Sequence, residues 1–224
     1  MDRTMARTKL SNLRKALSIA VLPGLLVYVL AISLSAMAGI KGILVIRDLA
    51  QTCDSPLGVG LISNLGYLFW IATAAIALFT AYATPTYSQH KLKDLLLCGG
   101  WFSFILCIDD MFLLHDRYIG QTFLYVVYAI FAFLIVFKFR NQLLKNGGEI
   151  FILAATLLAF SVLTDKFQRD IADILPIKYE MIQLFEEGVK FLGITTWLYF
   201  WWSASSKFIK NSVYIAKTQG NELP

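Results

Sequence analysis

The residues of this chain that could do chemistry fall in two short stretches. One reads Asp109-Asp110-Met111-Phe112-Leu113-Leu114-His115-Asp116, and the other carries Glu186, Glu187 and Lys190, followed by Gly193 and Trp197. On a helix, Asp109 and Asp116 lie about two turns apart on one face, ~10 Å along the axis, while Asp110 and His115 point elsewhere around it. Glu186, Lys190, Gly193 and Trp197 form a second stripe, and Glu187 reaches Lys190 three positions on. Clustered carboxylates beside one imidazole suit a divalent cation: oxygen ligands favour Mg, Ca or Mn, and the imidazole admits Zn or Fe. In that reading Asp109, His115, Asp116 and Glu186 are candidate metal ligands. Asp109, Asp110, Glu187 and Lys190 are then the candidate catalytic groups of a hydrolase whose metal activates water. The same residues, sharing protons, could instead relay protons or carry a cation. A third reading is structural pairing in a scaffold subunit, with Lys190 neutralising Glu186 or Glu187, and Asp109 or Asp110 meeting Arg117, Lys166 or Arg169.

What must position these groups follows from composition. Of 224 residues, 58% are hydrophobic and 16% charged, against roughly 45–50% and about 25% in a soluble domain. The excess is concentrated in runs: residues 16–40, 55–90 and 118–137 contain no Asp, Glu, Lys or Arg. A bilayer of ~30 Å needs about 20 apolar residues per helix. The pattern predicts an all-α polytopic bundle, one membrane domain over residues 1–224, with six spans at about 16–38, 57–83, 95–114, 118–137, 150–165 and 181–202. The charged alternation after Asp165 predicts a separate amphipathic helix on the outer interface, ended by Pro176.

Basic residues retained in short cytoplasmic loops set orientation. Thirteen of them fall on the side of the termini and six opposite, so both termini are expected in the cytoplasm, at a plasma or inner membrane. Eleven of the fifteen acidic residues take the other side, and charge inside a span costs a few kcal/mol unless it faces the bundle interior. Asp109, Glu186 and Glu187 lie one or two turns inside their outer boundaries, Asp165 caps the fifth span, and Ser63 and Asn64 sit at similar depth. The basic tails suit anionic headgroups rather than nucleic acid, which makes membrane lipids the expected partners and a lipid-like or cationic molecule the expected substrate. Cys53, Cys98 and Cys107 encode no disulfide framework or zinc knuckle. Gly58, Gly60, Gly66, Gly99 and Gly100 read as points of close helix approach.

Ser63-Asn64 early in one helix, with Asp109-Asp110-Met111 near the end of the next, resembles the alkaline ceramidase and progestin-receptor-like superfamily of membrane hydrolases. The resemblance implies hydrolysis of a lipid-like substrate, with Ser63 and Asp109 or Asp110 at a metal centre. The chain departs from that family in having six spans rather than seven. It also lacks the His-x3-His pair, since His90 and His115 are its sole histidines.

Overall fold

A computed structural model describes residues 17–46, 52–56, 58–85, 89–174 and 178–218. The basic amino-terminal residues through Lys15, and Pro176 as a helix terminator, lie outside the described residues. The described residues form helices and no strand. They divide into two compact units, residues 1–59 and 60–224.

In the first unit a π-helical turn, Leu17–Val21, runs into α1, Leu22–Met37, and a short α2, Gly42–Ile46, follows. Pro23 stands in the first turn of α1, directly after the π-turn. Gly39, with φ +75°, ends the helix, a left-handed position that glycine occupies without a Cβ penalty. Apolar side chains cover α1 all round, Leu26, Val27, Leu30 and Leu34 among them, and all four are exposed.

The second unit contains α3 (Leu61–Ala83), α4 (His90–Phe112), the one-turn α5 (Leu114–Arg117), α6 (Gln121–Lys145), α7 (Gly148–Ile174) and α8 (Tyr179–Thr218). Helices α3, α4, α6 and α7 are long and apolar enough to cross a membrane, and the chain is a multi-pass membrane protein. Its surface is apolar as lipid requires: Phe79, Leu68, Phe137 and Leu184 all point outward.

Helix α8 is the central post, packed on α7 and α3, while α3 packs on α4. Lipid supplies no hydrophobic drive between helices, so small residues and close packing hold them. Gly99 lies under the Trp201 ring, Gly100 under Leu78, and Gly193 against Leu158. Trp70, Phe102, Trp197, Phe200, Trp201 and Phe208 fill the space between. Gly58 and Gly60 differ from expectation. They take φ +103° and +71° in the turn before α3, with no neighbouring helix against them among the described residues.

Two boundaries also differ. No separate interfacial helix begins at Asp165: α7 runs unbroken for 27 residues to Ile174. Nothing between Glu149 and Ile174 is Gly or Pro, and the Asp165 carboxylate is satisfied by side chains of α6, so its charge does not force a break. The last helix extends to Thr218, 40 residues or about 60 Å, well beyond a bilayer.

Candidate functional site

The end of α4 sets the site. Leu113 adopts φ 51°, ψ 45°, a left-handed conformation that costs a β-carbon residue roughly 1–3 kcal/mol and persists only when its surroundings fix it. Asp109 supplies that fixation. Its Oδ1 accepts the backbone N–H of His115 at 2.9 Å, and its Oδ2 accepts the ring Nδ1–H at 3.0 Å. The helix therefore folds back as α5, and His115 returns to Asp109 instead of continuing around a single helical face. Asp116 follows it round, with Oδ2 3.6 Å from His115 Nε2 and the carboxylate half exposed. The ring of Tyr125 lies 5.5 Å from the imidazole.

The neighbouring carboxylate looks the other way. Asp110 Oδ1 accepts Lys190 Nζ of α8 at 2.6 Å, and its Oδ2 accepts the indole N–H of Trp70 at 3.3 Å. Lys190 thus pairs across helices with Asp110, not with Glu186 or Glu187 on its own helix as structural pairing had it; Asp109, likewise, pairs with His115, not with Arg117, Lys166 or Arg169. Ser63, Tyr67, Asp110, Glu187 and Lys190 line a cavity of about 80 Å³.

Glu186 stands apart from both pairs. It is 8% exposed, Ser161 of α7 donates to its Oε1 at 2.6 Å, and no Lys, Arg or His nitrogen is within 4 Å among the described residues. Asp165, expected as a helix cap, lies within α7 and accepts from Tyr125 Oη at 2.7 Å and Gln121 Nε2 at 2.5 Å. Asn64 is exposed.

Of the predicted metal ligands, Asp109, His115 and Asp116 come together and Glu186 does not join them. Among the described residues no three His, Cys, Asp or Glu side chains are arranged to hold a metal ion. The physical reason is prior commitment: the Asp109 carboxylate holds His115 through its backbone N–H and its ring, Asp110 holds a lysine, and Glu186 a serine. Ser161, Trp70 and Tyr125 were not anticipated. The hydroxyl of Tyr125 within a run of phenylalanines on α6 was the available signal, since a buried phenol seeks a partner.

Beneath this layer the bundle is aromatic. Trp197 Nε1 donates to Ser103 Oγ at 2.9 Å. Trp197 meets Trp70, Phe102 and Trp201 with ring centroids 5.6–6.3 Å apart. Trp201, Phe200 and Phe208 below them are fully buried. Asp116 of the polar layer is half exposed, whereas the aromatic side chains beneath the layer are buried.

His115 lies outside the spanning helices, and its pKa is raised above the ordinary histidine value. The hydrogen bond to Asp109 is the largest cause; burial opposes it, and the charges of Asp109 and Asp116 add to it. A group with a raised folded-state pKa stabilises most below its unfolded value, ~6.5, and loses that contribution as pH climbs through the folded value. The melting temperature lost on His115→Gln is thus expected to be larger at about pH 6 than at about pH 9. Thermal unfolding in detergent at the two pH values measures it, and an equal loss at both would contradict the imidazolium pairing.

A family model described as Domain of unknown function (DUF8692) matches residues 19–204. No curated protein and no solved structure matches the chain.

Proposed function

Given that the chain belongs to the DUF8692 family, a membership that assigns no reaction, we propose that it takes up and releases protons at a polar layer buried near one membrane face. The observation that carries this is Glu186: a carboxylate inside the bundle whose hydrogen-bond partner is a serine and which has no cation at ion-pair distance among the described residues. A serine hydroxyl can donate to a carboxylate or accept from a carboxylic acid, so the site accommodates both protonation states without rearrangement. Asp116, His115 and Asp109 form a graded approach from the surface inward.

Magnitudes favour the proton over the other candidate cargoes. A small-molecule site runs to about 300–1,000 Å³, against about 80 Å³ here, so hydrolysis of a lipid-like substrate has little room. Calcium asks for six to eight oxygens, whereas Asp109, Asp110 and Glu186 each already hold a different partner. A proton needs neither space nor a ligand shell. The aromatic floor supports a carrier that changes conformation rather than an open pore.

The full topology belongs to the same reading. The π-turn and α1 together are about 30 Å long, and α8 exceeds that, which makes six spans with the four apolar helices. The excess of basic residues on the side of the termini places both termini in the cytoplasm and the acidic layer outward.

Infrared difference spectra of the protein in bilayers, between acid and neutral external pH, test the proposal. A protonated-carboxyl stretch is expected in the wild type, with one component missing in Glu186→Gln. An unchanged band in that variant would overturn the assignment.

A further inference from the structure

Helices α6 and α7 touch at both ends and gape between them. At one end Gln121 and Tyr125 bind Asp165, and Lys166 Nζ donates to Thr122 Oγ1 at 2.7 Å. At the other, the turn at Asn146 and Gly147 brings Gly148 against the Leu143 carbonyl, and the backbone of α6 kinks at Phe139 (φ −111°, ψ 16°). Between these ties runs an apolar groove of about 510 Å³, lined by Val136, Leu144, Ile152, Ala159 and Leu163, with Arg140 as its one charged wall.

We propose that this groove holds an acyl chain of an anionic phospholipid whose phosphate sits on Arg140. From Gly148 to Leu163 the wall rises about 22 Å at 1.5 Å per residue, so a groove of about 510 Å³ is long for its volume, the shape of an extended chain. A single hydrocarbon chain is thin enough, and the groove's length exceeds the ~15 Å of one leaflet.

Charge decides the headgroup. Arg140 is exposed and has no carboxylate within ion-pair distance among the described residues. It lies near the charged end of its helix, where Lys138 and Lys145 are also exposed on other faces. A guanidinium presents a planar fork that binds phosphate with two donors, and an apolar groove offers it no anion from the protein. The inference is independent of the proton site and needs only that α6 and α7 stand in a bilayer.

The test uses the whole protein in detergent, titrated with phosphatidylglycerol or phosphatidylcholine of identical acyl chains and read by native mass spectrometry. The wild type is expected to retain phosphatidylglycerol about five- to tenfold better, the yield of one basic contact with an anionic headgroup. Arg140→Gln, at an exposed position that leaves packing intact, is expected to bring the two lipids to parity. Ala159→Trp, also from an exposed position, fills the groove and should remove both adducts. Equal retention by the wild type, a preference that survives Arg140→Gln, or adducts undiminished in Ala159→Trp would each overturn the proposal. So would a dimer that Ala159→Trp dissolves, which would assign the groove to a second copy of the chain.

Discussion

Replacing Lys190 by Met is expected to destabilise the protein by about 3 kcal/mol or more, and adding Asp110→Asn to the same chain is expected to recover most of the loss. The asymmetry follows from burial. Asp110 and Lys190 meet at 2.6 Å with side chains 12% and 28% exposed. A partly buried pair contributes little net energy compared with neutral residues of similar volume, but removing one partner strands the other. In Lys190→Met the Asp110 carboxylate retains the Trp70 indole and loses its counter-charge. In the double variant the amide oxygen introduced by Asp110→Asn can still accept that indole N–H, and no charge remains. Reversible unfolding in mixed detergent micelles measures all three chains. A double variant no better than Lys190→Met would mean that the lysine acts through something other than this pair.

Gly99→Ala carries the second large effect. A β-carbon there would lie 1.9 Å from the Trp201 ring, with two further ring atoms at 2.1 and 2.4 Å. Trp201 is fully buried against Trp197 and Phe200, so the ring has nowhere to turn and α4 must move off α8. Overpacking costs about 1–3 kcal/mol and occasionally more, and this overlap belongs at the upper end, with loss of folding on mild heating. Gly188→Ala on α8 is the control. Nothing lies within 4 Å of its added methyl, and alanine favours a helix by up to ~1 kcal/mol. Melting temperatures of the two variants are expected to move in opposite directions. A Gly99→Ala protein as stable as wild type would contradict the close packing of α4 on α8.

The membrane helices were legible because each rests on a local property, the length of an uncharged run. Their ends were less so. His90, Lys91, Lys93 and Asp94 read as loop because they are polar, yet they lie within the first two turns of α4, since helical hydrogen bonding does not stop where hydrocarbon does. That Asp109, Asp110, Glu186 and Lys190 would turn away from lipid was legible from the cost of charge in a span, and all four are at least partly buried. Their partners were not. Reading Asp109 and Asp116 along one continuous helix missed the left-handed turn at Leu113, where neither Gly nor Pro marks the break. The pairing of Asp110 with Lys190, 80 residues away, depends on how α4 and α8 are rotated against each other, and no spacing within either segment encodes that. Ser161 was overlooked because a serine among leucines and phenylalanines carries no charge to flag it.

The account turns on protons exchanging at Glu186 from the face on which Asp116 and His115 lie. Purified protein reconstituted into liposomes with a pH-sensitive dye inside, given a step in external pH, measures this exchange across the membrane. Wild-type vesicles are predicted to change internal pH faster than protein-free ones, and Glu186→Gln vesicles, with the Ser161 hydrogen bond kept and the ionisable group removed, are predicted to match the protein-free rate. A Glu186→Gln protein that moves protons as fast as wild type would contradict it.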